Sequence, residues 1–322
     1  MTSILTNVAA MSALNTLRSI GNDMETTQGR VSSGMRVGEA ADNAAYWSIA
    51  TTMRSDNMAL SAVQDALGLG AAKVDTAYAG MEAAIDVVKE MKKKVTAATE
   101  QGVDKAKVQE EIKQLQEQLI SIASGASFNG QNWLVYDSAA AGAAGVADKT
   151  IVSGFVRDAS GTVKVNTTIY TLDSSTADTQ NVLFTTADTV TNTGAGGILG
   201  STGDNIDTTS NTYSITDTVV TLNISTFDDA QMAEALNLTE AAIQLMTKAA
   251  SQLGSISMRI DLQEDFANKL TDAIDSGIGR LVDADMNEES TRLKALQTQQ
   301  QLGIQSLSIA NSSAEGILQL FR

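Results

Sequence analysis

Apolar side chains recur at every seventh position through a long segment of the chain. They are Met53, Leu60, Leu67, Val74, Met81, Val88 and Val95. A seven-residue apolar repeat keeps one face of a helix turned toward a partner helix, so the pattern predicts a coiled-coil helix from about Asn43 to Ala98. At about 1.5 Å per residue, the repeat would extend roughly 65 Å. A helix of that length needs partner helices along its whole apolar seam.

Both ends of the chain also carry apolar residues at steps of three and four, which is typical of amphipathic helices. The residues of this terminal seam are Ile4, Val8, Met11, Leu14, Leu17, Leu293, Leu296, Leu307, Ile317 and Phe321. A seven-residue repeat resumes after about Ala230 with Met246, Leu253, Ile260 and Ile274. Since each seam needs a partner and the middle of the chain offers none, we expect the N- and C-terminal arms to pair.

Turn residues divide these helical segments. Asp104 is a plausible N-cap for a short helix that folds back on the long one. Phe128-Asn129-Gly130 predicts a tight turn, and Asp283–Asp285 separates the last two helices.

Residues 139–230 differ in character, because they are rich in Thr and form no helical repeat. Four segments are typical of strands between polar turns, namely Ile151–Val156, Val163–Tyr170, Val182–Phe184 and Val219–Ile224. The predicted fold is therefore mainly α with a β-rich insert. The two arms form a long antiparallel coiled-coil helical rod, and the insert is a central variable β domain.

Composition excludes several kinds of chemistry. The 322 residues include no Cys and no His, which removes disulfides, thiolate nucleophiles, the usual general base and the commonest zinc ligands. A net charge of −16 disfavours nucleic acid and anionic membrane surfaces as partners. Asp204–Asp207 lacks the ligand spacing of a calcium loop, so we interpret it as a solvated turn. We expect no catalytic residue, cofactor or metal.

Two stretches are more specific than periodicity. They are Gln28–Val37, which continues to Ala41–Ala45, and Ser127–Gly130. Together with Ile4–Asn7 and the terminal Ile317–Arg322, they resemble bacterial flagellin over roughly residues 1–135 and 235–322. The resemblance implies a structural subunit of the extracellular flagellar filament. Such a subunit is exported unfolded by a type III apparatus and polymerises with itself, and other flagellins are candidate co-subunits.

The resemblance also implies three domains and further partners. Residues 1–40 with 286–322 would form a terminal inner-core domain, 41–138 with 231–285 a helical outer domain, and 139–230 a surface-exposed module. The terminal seam would join subunits, whereas the seams of the outer domain would form the core of one subunit. Expected partners are an export chaperone, the filament cap and the hook-associated proteins.

Animal receptors of flagellin normally contact an Arg-rich patch on the long helix. The matching run here is Val87, Val88, Lys89 and Glu90, which lacks the first Arg and its bidentate fork. The resemblance therefore implies weak recognition by that receptor.

Two alternatives remain open at this point. A hook–filament junction protein would share the terminal helices but would not form long polymers. An unrelated scaffold would explain the seven-residue repeats but not the two specific stretches.

Overall fold

A computed structural model describes residues 7–137, 146–158, 160–174, 180–185, 196–201 and 217–320, with side chains as far as Ser312. Ile4, Phe321, the side chain of Ile317 and the turn Asp204–Asp207 therefore lie outside the described residues. The described α-helices are α1 (Val8–Ser33), α2 (Ala44–Ala98), α3 (Lys105–Gly125), α4 (Asp229–Val282) and α5 (Met286–Leu320). The strands are β1 (Ser127–Phe128), β2 (Gln131–Asn132), β3 (Val135–Tyr136), β4 (Val146–Arg157), β5 (Val163–Asp173) and β6 (Phe184–Thr185).

The chain divides into two compact units. Residues up to Met58 and from Leu270 onward form the terminal unit, and Ala59–Lys269 form the middle unit. Helices α2 and α4 each contribute residues to both units. The mainly helical fold with a strand-containing centre agrees with the predicted fold class.

In the terminal unit, short segments between the helices pair with each other. Gly34 ends α1 in the left-handed conformation with φ 72°, where a side chain would be strained. The next residues bond to the end of α4, because the Arg36 amide donates to the Val282 carbonyl at 2.6 Å. Val37, Ala50 and Val282 form a small buried cluster beside this pairing. The glycine and the residues after it thus set where α1 stops and the chain turns into α2.

The middle unit contains the main hydrophobic core. Six predicted core residues of α2 are buried in this unit, namely Leu60, Leu67, Val74, Met81, Val88 and Val95, and all but Leu60 belong to its main core. Met246, Leu253 and Ile260 of α4 are buried as well. The predicted core residues Met53 and Ile274 belong to the terminal unit, where both are half-buried.

Polar contacts show that α2 and α4 run antiparallel within the middle unit. The Gln64 amide donates to Asn268 Oδ1 at 2.8 Å, and the Ser257 hydroxyl donates to Asp75 Oδ1 at 3.1 Å. Farther along α2, Lys92 pairs with Glu240 and holds the pKa of that carboxyl below its usual value. As residue numbers increase along α2, the residue numbers of its contacts on α4 decrease, so the two helices are antiparallel.

The strands form small separate sheets. β1 and β2 form a hairpin whose turn residues Asn129 and Gly130 have φ of 50° and 74°, the combination that an Asn-Gly hairpin turn requires. β4 and β5 form a longer antiparallel hairpin with a bulge between Val152 and Gly154. Tyr170 of this hairpin stacks on Trp133 with ring centroids 5.7 Å apart, and burial raises the pKa of its phenol.

Two of the predicted strands differ in the structure. Val219–Ile224 is not a strand: Thr218 and Thr221 close a turn through their hydroxyls, and a 3₁₀ helix begins at Ile224. Gln116 of α3 donates to the Val219 and Leu222 carbonyls, so this segment is hydrogen-bonded to a helix rather than to a neighbouring strand. Val182–Phe184 is also not a continuous strand, because the paired residues are Phe184–Thr185, which lie parallel to β3.

Candidate assembly interface

The first and last helices of the terminal unit form an antiparallel pair. Near one end, the Asn7 side chain caps α1 and donates to the Ala310 carbonyl of α5 at 2.9 Å. In the middle, α5 approaches so closely that a Cβ built on Gly303 would lie 2.9 Å from Leu17 Cδ1. At the other end, Arg30 forms an ion pair with Glu289 at 3.2 Å. These three contacts define the register of α1 and α5, which we call the terminal pair.

The residues that face inward in this pair are small or moderately sized. On α1 they are Ala10, Ala13, Leu17, Ile20, Met24 and Thr27. On α5 they are Glu289, Leu293, Leu296, Gln300, Gly303, Leu307 and Ala310, again at steps of three and four. The predicted seam residues Leu17, Leu293, Leu296 and Leu307 therefore lie between the two helices.

Other predicted seam residues lie on a different face. Val8 is 72% exposed and Met11 is 55% exposed, and Leu14 is exposed as well. At 100° per residue, Met11 lies on the opposite side of α1 from Ile20, which is buried against α5. Helix α1 therefore has one face that packs within the chain and a second apolar face that does not.

Helix α5 is two-sided in the same way. Leu302 and Ile309, seven residues apart, are both exposed, and Leu302 borders the groove beside α1. An open groove of about 670 Å³ runs between the two helices, with Ser12 and Thr16 on one wall and Ser306 on the other. Grooves lined by small residues accept the side-chain ridges of another helix. The terminal pair thus offers both ridges and a groove to further helices.

One charged pair lies inside this largely apolar seam. Glu289 is buried, and its Oε2 has no hydrogen-bond partner among the described residues, as is also true of Arg30 Nε. The ion pair is therefore single rather than bidentate. Periodicity could have located Glu289, because it lies seven residues before Leu296, but the sequence analysis did not select it. Asn7 was missed as a pairing residue, because it belongs to no such period.

The Gly-Glu-Ala-Ala-Asp stretch after α1 has a structural role. The Asp42 carboxylate accepts hydrogen bonds from the amides of Gly38 and Glu39 at 2.9 and 3.1 Å. The bonds from Glu39 and then Gly38 lower the pKa of Asp42 below its ordinary value. This exposed carboxylate therefore closes the turn that leads into α2.

The predicted receptor patch is divided by burial. Val87 and Val88 lie in the core of the middle unit. Lys89 is exposed but pairs with Asp86 at 3.1 Å, and Glu90 pairs with Lys93 at 3.2 Å. Only the two charged residues of the patch are therefore accessible.

No cluster of three or more potential metal ligands occurs in the part of the chain that the structure describes. Its described helices also lack an apolar stretch of the length and hydropathy that crossing a membrane requires.

Paired terminal helices with spare apolar faces, a long helical core and a strand-rich centre define a self-assembling coiled-coil subunit. Comparison with known proteins gives the family. The chain matches the bacterial flagellin N-terminal helical region over residues 4–147 and the bacterial flagellin C-terminal helical region over residues 236–321. The chain therefore belongs to the bacterial flagellins, the non-enzymatic structural proteins that form the extracellular flagellar filament.

Individual relatives match along their whole length. The chain is 51% identical to Flagellin B of Rhizobium meliloti and 52% identical to Flagellin C of Rhizobium meliloti (strain 1021). It is 41% identical to Flagellin of Brucella melitensis biotype 1. Each of these alignments covers 100% of this chain and 100% of the relative.

Proposed function

We propose that this flagellin polymerises through the outward apolar faces of its terminal pair. The observation that carries the proposal is the exposure of Val8, Met11, Leu302 and Ile309 on helices whose other faces already pack together. In the filament these side chains lie in the grooves of neighbouring subunits and lose their contact with water, which favours assembly. The inward residues, such as Leu296, hold the pair together within one subunit.

Seeded polymerisation tests this proposal. Purified chain is added to short filament seeds in a polymerising salt, and the critical concentration is measured by sedimentation while the product is imaged by negative stain. Met11→Gln raises the critical concentration at least tenfold and leaves the helical circular dichroism unchanged, because the side chain is exposed. Ser19→Gln, at an exposed polar position of α1, serves as the matched control. A Met11→Gln chain with the wild-type critical concentration would contradict the proposal.

Removal of residues 286–322 distinguishes filament formation from the junction alternative. The proposed three-domain organisation, with 1–40 and 286–322 inside, 41–138 and 231–285 around them and 139–230 at the surface, places all of α5 in the polymer. The truncated chain then makes no tubes and keeps the helical signal of the middle unit. Wild-type chain that formed only short caps on seeds would favour a hook–filament junction protein instead.

We also propose that the accessory partners contact the terminal pair before or at the end of assembly. The exposed stripe of α5, with Leu302 and Ile309, is suited to an export chaperone that shields apolar surface. The same surface remains uncovered at a filament end, where cap and hook-associated proteins attach. Leu302→Gln together with Ile309→Gln should abolish co-purification with the chaperone, while Ser308→Gln at an exposed polar position should not.

Recognition by the animal flagellin receptor is proposed to be weak. The supporting observation is that Val87 and Val88 are buried, while Lys89 and Glu90 are already in local ion pairs. The run thus lacks the forked guanidinium that binds a carboxylate bidentately. A reporter-cell dose response should therefore lie far to the right of that of an Arg-containing flagellin, and overlapping curves would contradict the proposal.

A further inference from the structure

The methionines of the described residues differ widely in their access to water. Four of them are exposed, namely Met11, Met58, Met258 and Met286. Another four are fully buried, namely Met81, Met91, Met232 and Met246. The half-buried Met35 has a sulfur that accepts a hydrogen bond from Arg54 Nη2 at 3.7 Å. Because an oxidant must reach the sulfur to react with it, the four exposed side chains should react first.

The sequence contains twelve Met and no Cys. Thiolates would otherwise be the groups that an oxidant attacks first. In this chain the sulfur chemistry of a dissolved oxidant therefore falls on thioethers alone.

Met11 lies on the outward apolar face of the terminal pair. It is three positions from both Val8 and Leu14, so the three exposed side chains are neighbours on the surface of α1. Ile20, on the opposite side of the helix, is buried against α5. A chemical change at Met11 would therefore alter the face that is free for other subunits and leave the packing within the chain intact.

We propose that Met11 is an oxidation site at which a peroxide reversibly controls entry of the subunit into the filament. The proposal rests on the proposed function, in which neighbouring subunits bury the outward face of the terminal pair. The Met11 sulfur attacks one oxygen of hydrogen peroxide, the O–O bond breaks and an S–O bond forms. The second oxygen leaves as water with both protons of the peroxide. The sulfur loses two electrons, and the peroxide is reduced by them.

The product changes the outward face in one respect. A sulfoxide is polar and chiral, whereas the thioether that it replaces is apolar. In the free subunit the sulfoxide is solvated, so the chain should fold as before. Between subunits it would be buried without a hydrogen-bond partner, which opposes assembly. Oxidation thus acts on the free subunit, and a subunit already in the filament is protected because Met11 is covered.

Two chains that differ only at position 11 test the proposal. The first carries Met58→Leu, Met258→Leu and Met286→Leu, so that Met11 is the one exposed methionine left among the described residues. The second carries the same three changes and Met11→Leu. Leu and Met have similar volumes, so both chains should give the helical circular dichroism of the wild type.

Each chain is treated as a monomer with dilute hydrogen peroxide, which is then removed with catalase. The critical concentration for seeded polymerisation is compared with that of the same chain before treatment. We expect a rise of about tenfold for the first chain and for the wild type, and a change of less than about twofold for the second chain. Mass spectrometry of peptides should find an added oxygen at Met11 and none at the buried Met81 and Met91. Methionine sulfoxide reductases for both epimers should return the first chain to its starting value.

Three results would overturn the proposal. An equal rise in both chains would show that oxidation acts at another group. No rise despite an oxidised Met11 would show that the interface tolerates the sulfoxide, and an unoxidised Met11 would show that peroxide does not reach it. A rise that the reductases do not reverse would exclude reversible control.

Peroxide added after polymerisation separates this failure from failure of the proposed function. We expect Met11 in filaments to gain oxygen at least about tenfold more slowly than in the monomer. Oxidation at the monomer rate would show that no subunit covers this face, and the proposed function would fail together with the proposal. Protection in the filament, combined with normal assembly of oxidised monomer, would overturn the oxidative control alone.

Discussion

The residue that most constrains the terminal pair is the buried Glu289. Its carboxylate meets Arg30 in a single contact, and its second oxygen has no hydrogen-bond partner in the part of the chain that the structure describes. Burying a charge costs free energy that the pairing offsets only partly, so such a pair contributes little net stability and acts more through alignment. A polar residue within an apolar seam penalises every register that would leave it unpaired.

Replacing only one partner of this ion pair should therefore lower the free energy of unfolding more than replacing both partners. Glu289→Leu leaves the Arg30 guanidinium, which is 28% exposed, without its carboxylate and should lower the free energy of unfolding by about 1–3 kcal/mol. The double variant Arg30→Met with Glu289→Leu should recover most of that loss. Thermal unfolding followed by circular dichroism measures both, and a double variant that is less stable than Glu289→Leu would contradict the argument.

The hydrogen bonds of the Asp42 carboxylate should make the turn before α2 sensitive to pH. Its folded-state pKa is lowered by the amides of Glu39 and Gly38, so its stabilising effect is present above the unfolded-state pKa and is lost as pH falls through the folded value. The Gly38 and Glu39 amides should therefore lose protection from hydrogen exchange in acid, below about pH 4. Asp42→Ala should show the same low protection already at neutral pH, and unchanged protection in that variant would contradict the role of the carboxylate.

At the scale of elements, close approach between a helix and a hairpin determines which glycines can change. A Cβ on Gly70 of α2 would clash with Cγ2 of Ile151 on β4, and that branched methyl cannot rotate away freely. Gly68, two residues earlier in the same helix, has open space around it. An alanine at Gly68 therefore changes helix propensity alone, whereas an alanine at Gly70 changes both helix propensity and packing.

Alanine at these two positions should have opposite effects. Gly68→Ala should raise the free energy of unfolding by about 0.5–1 kcal/mol, because Ala is the better helix former. Gly70→Ala has the same gain but displaces β4, and overpacking costs about 1–3 kcal/mol, so the variant should be less stable than wild type. Denaturant titration measures the difference, and equal effects at both positions would contradict the observed packing of β4 on α2.

The elements also show how far sequence could predict this fold. The seven-residue period identifies Leu67 or Val74 as inward-facing, because a heptad fixes one face of a helix. For α1 it could not tell which of two apolar faces meets α5, since the inner face near the start of the helix carries only the small residues Ala10 and Ala13. Val219–Ile224 has the residue composition typical of a strand. Its Val219 and Leu222 carbonyls nevertheless accept hydrogen bonds from Gln116, which lies more than a hundred positions away in the sequence. Such distant partners leave no local pattern.

At the scale of the whole molecule, charge opposes assembly. Each copy carries a net charge of −16, so bringing copies together costs electrostatic free energy that salt reduces. Raising the salt concentration from about 0.05 to 0.3 M shortens the screening length from about 14 to about 6 Å.

The critical concentration for seeded polymerisation should therefore fall severalfold over that range of salt. Sedimentation at fixed temperature measures it, and the monomer's circular dichroism controls for changes in folding. A critical concentration that rose with salt would show that attraction between opposite charges dominates the subunit contacts instead.

The antiparallel pairing of α1 with α5 also determines when α1 can fold against its partner. Asn7 bonds to a carbonyl 303 positions later, and Arg30 pairs with a carboxylate 259 positions later. Closing such long loops costs entropy, and it cannot begin while the later residues are still unmade or are threaded through a narrow passage. Helix α1 must therefore wait, unpaired, until the last part of the chain arrives. Completion of the terminal pair reports that α5 has emerged, so a chain that stops before α5 lacks the partner that α1 requires.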